Sequence, residues 1–124
     1  MDKERLASFA TVDSDCRPHV VPVFFTYENG RGYVQTDKNS VKVHNLSRNN
    51  NVAVAVYRGE EAVVIRGKGR VVEDHQEFRR RTQDHVDKYR LQLDDHGRNS
   101  LGIPPFDRRV RCVIEATPKS ILFW

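Results

Sequence analysis

The run His19-Val20-Val21-Pro22-Val23-Phe24-Phe25-Thr26-Tyr27, followed across Asn29-Gly30 by Gly32-Tyr33-Val34-Gln35-Thr36, decides the fold. β-Branched and aromatic residues crowd both pieces, and such side chains suit a pleated, half-buried surface. Asn-Gly supplies the two left-handed dihedrals of a tight hairpin between them. Upstream, residues 7–12 (ASFATV) read as a further strand behind a short helical start, and Asp13, Ser14 and Asp15 cap the turn that follows. The chain therefore opens as an antiparallel meander. Pro22 interrupts it, because a residue without an amide proton belongs at an edge, a bulge or an opening that faces a ligand. The residues alone leave those choices open.

Downstream, the stretch from Asp37 through Lys38 and Asn39 to Ser40 carries helix-capping side chains, and residues 41–48 (VKVHNLSR) form a short helix. Val43 and Leu46 share its apolar face, with Val41 near it. Asn49, Asn50 and Asn51 end the helix through asparagine's tolerance of the left-handed conformation. Residues 52–57 (VAVAVY) contain no polar member, which predicts a central strand covered on both faces. In residues 62–72 (AVVIRGKGRVV), Val63, Ile65, Gly67, Gly69 and Val71 fall on one face, and the glycines predict the bend of a closing barrel. Residues 74–89 form a longer helix, with Phe78, Thr82, Val86 and Tyr89 on an apolar stripe that continues to Leu93. Arg80 and Asp84 are spaced for an ion pair, and Arg79, Arg80 and Arg81 spread over a solvated arc. Residues 94–107 are a loop. Val110, Cys112, Ile114 and Ala116 share one face of a last strand. The apolar end, Ile121, Leu122, Phe123 and Trp124, is expected to pack on the barrel or on another subunit. The sum is a mainly β chain: residues 1–124 as one domain, six or seven antiparallel strands closed as a barrel, one short helix and one longer one.

Composition narrows the function. Among 124 residues, no apolar run approaches the roughly 20 needed to cross a membrane. Met1-Asp2-Lys3-Glu4-Arg5 is charged rather than signal-like, so a cytoplasmic protein is expected. Cys16 and Cys112 stand too far apart in sequence for a close pair; the first reads as an exposed turn residue, the second as a small core hydrophobe. His19, His44, His75, His85 and His96 are scattered, so no metal is expected. No phosphate-binding loop, nucleophile elbow or H-E-x-x-H pair occurs, and Gly67-Lys68-Gly69 is half a dinucleotide fingerprint with Val72 in place of the third glycine. No side chain is assigned as catalytic, and the chemistry is expected to come from a bound cofactor. Thr36, Ser40 and Lys42 gather where a strand gives way to a helix whose first amides are unpaired, a natural anion site; Arg48 lies further along. An ordinary N-cap beside a surface lysine produces the same pattern. A formal charge of +4 suits an anionic partner without choosing one.

Two separated runs, Leu6-Ala7-Ser8-Phe9-Ala10-Thr11-Val12-Asp13 and Arg17-Pro18-His19-Val20-Val21-Pro22-Val23-Phe24, resemble the pyridoxamine 5′-phosphate oxidase-like family of flavin-binding split β-barrels. That family's L-A-T-V-D-x-x-G-R-P-H-V-V-P-V is followed by T-x-x-S-x-K-x-x-N-L-x-x-N-P-x-V. Thr36, Ser40, Lys42, Asn45, Leu46, Asn49 and Val52 stand here in that order. A third piece, from Ile65 to Val71, resembles the family strand V-x-G-x-A-x-V. Cys16 stands where the family usually has Gly, Val41 where Ser or Arg is common, and the arginine-rich end of vitamin B6 oxidases has no counterpart.

The resemblance implies a six-stranded split barrel working as a homodimer, with flavin mononucleotide (FMN) at the subunit interface. Pro22, Val23 and Phe24 would border the flavin ring. Gln35, Thr36 and Asp37 would follow the ring and ribityl chain, and Ser40, Val41 and Lys42 would hold the phosphate. Trp124 would lie near the second subunit. The activity implied is hydride transfer between a reduced nicotinamide or deazaflavin donor and a small-molecule substrate. Relatives of this size also take the deazaflavin coenzyme F-420 or carry flavin or heme without catalysis. A reading from another class is a basic barrel that binds nucleic acid through Arg66, Lys68 and Arg70, although no stacking aromatics interleave with them.

Overall fold

A computed structural model describes residues 6–99 and 101–123. Six strands, β1 (Ala7–Val12), β2 (Pro18–Glu28), β3 (Arg31–Asp37), β4 (Asn51–Arg58), β5 (Glu61–Val71) and β6 (Arg111–Phe123), close into one barrel. Their order around it is β1-β2-β3-β6-β5-β4, every pair antiparallel. Helix α1 (Val41–Arg48) follows β3, and helix α2 (His75–Tyr89) follows β5. Among the described residues no helix is long and apolar enough to cross a membrane.

The expected turn chemistry is present. Asn29 and Gly30 both have positive φ, 54° and 77°, as a two-residue hairpin of this hand requires. Asp13 Oδ1 accepts from the amides of Asp15 and Arg17, both at 2.9 Å. Cys16 is exposed at φ 62°, a left-handed position that explains why glycine suits it better. Asn49 corrects the reading of the α1 end: it is extended at φ −144°, and it stops the helix by turning its Oδ1 to the Asn51 amide.

Inside the barrel, Phe9, Val23, Phe25, Val34, Val52, Val54, Ile65 and Ile114 form the core, with Leu46 of α1 against one end. The β5 glycines let the barrel close. A Cβ on Gly67 would stand 2.0 Å from the Thr117 carbonyl oxygen, where the β5–β6 register shifts, and one on Gly69 would stand 2.9 Å from Val52.

Further expectations change for β4, for α2 and for Val110. β4 is covered on one face only: Val52 and Val54 are buried, whereas Ala53 and Ala55 are half-buried and Tyr57 is exposed on the outside of the barrel. The strand covered on both faces is β3, because α2 lies across it. The buried stripe of α2 is Phe78, Arg81, Thr82 and His85, so Arg81 belongs to the packed side and not to a solvated arc. Its guanidinium stacks over Tyr33 at 3.9 Å and pairs with Glu28 at 2.7 Å. Arg80 also pairs with Glu28, at 2.9 Å, and Asp84 turns to Arg81 at 3.6 Å in place of the expected Arg80 pairing. At the end of the chain Ile121, Leu122 and Phe123 extend β6 against β5 with their side chains exposed, while Val110 lies just before the strand. Trp124 lies outside the described residues.

Candidate functional site

β2 changes partners in its middle. Pro18 to Val23 pair with β1, and Phe24 to Glu28 pair with β3. The barrel is split at this point, and Pro22 sits beside the split with its missing amide on a stretch that has a single strand neighbour. A strand that changes ladders leaves backbone groups without a strand partner, so Pro22 stands at a ladder edge beside an opening.

The opening is a cleft of about 200 Å³ lined by Leu6, Pro22, Val23, Phe24, Gln35, Thr36, Lys42 and Arg111. Six of the nine residues proposed from the sequence meet here: Pro22, Val23, Phe24, Gln35, Thr36 and Lys42. Asp37, Ser40 and Val41 stand beside the cleft without lining it. Ser40 caps α1 by accepting from the Val43 amide at 3.4 Å and from Thr36 Oγ1 at 3.5 Å. Among the described residues its own hydroxyl proton has no acceptor. Asp37 is engaged by Arg111, and Val41 is half exposed on the outer side of its turn. Arg48, six residues beyond Lys42, lies about 9 Å further along the helix axis and does not line the cleft.

Arg111 is the residue that sequence reading missed. It begins β6, opposite Asp37, and is buried. One terminal nitrogen donates to Asp37 Oδ1 at 2.6 Å and the other to Gln35 Oε1 at 3.2 Å, while Nε is buried without a partner. Gln35 is held in turn: its Nε2 donates to Thr82 Oγ1 at 3.0 Å and to the Pro105 carbonyl at 2.6 Å. Only the hydrophobic setting of an arginine at the start of a core strand could have drawn attention to it.

Lys42 is half-buried and forms no hydrogen bond or ion pair among the described residues. Burial pushes its pKa down, Asp37 pushes it up, and Arg111 pushes it down again. Burial also raises the pKa of the neighbouring Cys112 thiol, against the pull of Arg111, Lys38 and Lys42. The site is thus a small cationic corner with a half-desolvated ammonium and an orphaned guanidinium nitrogen, walled by apolar β2 side chains. Desolvated cations of this kind gain most from an anion. Among the described residues no group of three His, Cys, Asp or Glu is placed to hold a metal.

Pro22 also belongs to a second feature. On the outside of the barrel, cross-strand neighbours run Pro22, Ser8, Ala55, Val64, Leu122 and, one row along, Val20, Ala10, Ala53. The second row continues to Arg66 and Ser120, so the face is small and apolar over β1, β2 and β4 and turns polar along part of β5 and β6, and no helix among the described residues covers it. The cleft opens at its margin. By contrast, the cations on the outer face of β5 are engaged within the chain: Arg66 with Ser120 at 3.3 Å, Lys68 with Asn51, and Arg70 with Glu115 at 2.9 Å.

A family model described as pyridoxamine 5′-phosphate oxidase matches residues 1–124. A search among curated proteins finds no significant match. Among solved structures, one called an F420 reductase is 21% identical with a TM-score of 0.76, over 98% of this chain and 91% of that one. A conserved hypothetical protein from Mycobacterium tuberculosis is 20% identical with a TM-score of 0.78, over 97% and 76%. A pyridoxamine 5′-phosphate oxidase-related FMN-binding protein from Nostoc punctiforme is 16% identical with a TM-score of 0.67, over 97% and 73%. At these identities the likeness to the solved structures is one of fold.

Proposed function

Since this chain belongs to the pyridoxamine 5′-phosphate oxidase family, we propose that it is a cytoplasmic oxidoreductase using FMN, with the flavin seated in the split between β1 and β3. The observation that carries this reading is a half-buried Lys42 ammonium, without a partner among the described residues, lining one cleft with the Arg111 guanidinium beside a strand that has left its ladder. A flavin has a phosphate for the first two and a flat ring edged with hydrogen-bonding atoms for the third.

The roles follow from position. Lys42 and the first amides of α1 hold the phosphate, with the free Ser40 proton as a further donor and Val41 contributing its amide. Gln35 and Thr36 follow the ribityl chain, and Asp37 acts by fixing Arg111. Backbone groups of Pro22, Val23 and Phe24 edge the ring, and their side chains keep water from one side of it. When bound, the flavin supplies the hydride chemistry at its central ring. No side-chain acid or base is assigned, and the protein's part is orientation, charge and exclusion of water.

We assign the uncovered β1–β4–β5 face to a second copy of the chain. The cleft in one protomer, about 200 Å³, is smaller than the roughly 300–1,000 Å³ usual for such ligands. It opens at the edge of a flat apolar face of small side chains, so pairing through that face would deepen it into a full site. Burying this face is the ordinary remedy for a large apolar patch.

The experiment is a titration of the purified protein with FMN, followed by quenching of flavin fluorescence. Lys42→Ala and Arg111→Met are each expected to weaken binding at least tenfold. The reading fails if FMN and a 5-deazaflavin both leave fluorescence and melting temperature unchanged. The alignment with the F420 reductase, over nearly the full length of both chains, favours a deazaflavin as the alternative cofactor. Parallel titrations rank the two, and turnover with a reduced nicotinamide or a reduced deazaflavin separates an enzyme from a carrier.

A further inference from the structure

The β1–β2 ladder ends at the Ala7–Val23 pair, so beyond Val23 the edge of β2 away from β3 has no strand neighbour among the described residues. The peptide groups exposed there belong to the stretch that walls the cleft. The end of α2 takes the place of the missing strand. The Tyr89 hydroxyl accepts from the Phe25 amide at 2.9 Å and donates to the Phe25 carbonyl at 3.2 Å. The Lys88 ammonium donates to the same carbonyl. The Tyr89 ring packs on Phe24, a cleft residue, with centroids 4.5 Å apart. One turn earlier, His85 Nε2 lies 3.1 Å from the Tyr33 carbonyl on β3, the other strand of this ladder. His85, Lys88 and Tyr89 are spaced i, i+3 and i+4, so one helical face holds both strands at the place where the barrel splits.

We infer that Tyr89, assisted by Lys88, is a positioning residue for the bound flavin: it fixes the backbone of Phe24 and Phe25, and through them the ring-facing wall of the cleft. The inference rests on the flavin reading above and adds to it a residue outside the cleft. The physical reason is economy of constraint. A β-edge without a neighbour is free to slip, and a phenol that engages both backbone polar groups of one residue, tying down two successive peptides while stacking on the adjacent side chain, removes that freedom. Tyrosine is suited to this because its hydroxyl donates and accepts at once.

Tyr89→Phe keeps the ring stack and removes only the hydroxyl; Lys88→Met removes the second donor independently. In the cofactor-free protein, hydrogen exchange at the Phe25 amide is expected to accelerate at least tenfold in Tyr89→Phe, with little change in melting temperature. In the same variant the Kd for FMN is expected to rise about three- to tenfold, with a shift in the long-wavelength absorption band of the bound flavin. Lys88→Met is expected to move the Kd and the band in the same direction and less. Faster exchange at Phe25 with an unaltered Kd and band in both variants would overturn the positioning role and leave the flavin reading standing. A wild-type protein that binds neither FMN nor a 5-deazaflavin would overturn the flavin reading, and the positioning role with it.

Discussion

β3 and β4 differ by one residue in length and are opposite in fate. β3 (RGYVQTD) carries a glutamine and a threonine and is buried across both faces, from Gly32 to Thr36. β4 (NVAVAVYR) is nearly all apolar, yet its outer face is left open. A strand's composition therefore does not say which of its faces are covered; the landing place of a helix does. α2 brings Phe78, Arg81, Thr82 and His85 down on β3, where Gln35 and Tyr33 have partners waiting. The outer face of β4 has no helix, and its small side chains suit a second flat surface better than they suit water.

This contrast can be broken at four points, from the largest expected effect on the protomer to the smallest. Phe78→Ala removes the fully buried anchor between α2 and the β3–β6 ladder, which includes Tyr33 and Val113. It should cost about 3–5 kcal/mol, read as the urea midpoint at unchanged slope. Gln35→Leu leaves Thr82, the Pro105 carbonyl and Arg111 without their partner and should cost about 2 kcal/mol. Because Gln35 also steadies Arg111, the same variant should weaken FMN binding, an effect that Phe78→Ala would show only through unfolding.

The third point is pH. Burial holds the His85 imidazole below its ordinary pKa, outweighing the carbonyls of Arg81, Tyr33 and Phe24, while nearby Lys88 lowers it further. An unfolded chain takes up its proton near the ordinary value of 6.5, and the folded one resists. Stability is therefore complete above that value and declines as pH falls below it, by at most about 1.4 kcal/mol per unit. Melting temperatures of the wild type and of His85→Gln, compared at pH 7 and pH 5.5, should diverge, with the wild type losing more. Equal losses would show that His85 is not the group responsible.

The smallest effect belongs to the open face. Ala55→Glu places a carboxylate on the outside of β4, where one protomer tolerates it within about 0.5 kcal/mol. If the second copy sits there, the same change shifts the sedimenting species from dimer to monomer and weakens FMN binding alongside. An unchanged mass would move the interface elsewhere.

Much of this was legible beforehand. Period-two alternation and the Asn29-Gly30 turn located the strands, and the Asp37 to Ser40 capping run placed α1. Six of nine proposed site residues converge because they lie on two adjacent strands and the helix after them, which local spacing already joins. Arg111, Lys88 and Tyr89 were out of reach. Arg111 comes to the cleft through the β3–β6 pairing, and Tyr89 reaches Phe25 across a sequence gap that no local pattern bridges. Arg81 was misassigned for the same reason: a guanidinium enters a packed surface only where a ring and a carboxylate meet it, and Tyr33 and Glu28 are on other elements.

By itself, then, the order of residues determined which segments are strands, where they turn and which short helix carries the cations. Those properties depend on dihedral preference and on the periodicity of apolar side chains, both local. Tertiary structure alone decided which strand face is covered, which arginine is buried and which helix supports the split in β2. Each of these depends on a contact between groups distant in sequence, and its energy exists only once the barrel has closed.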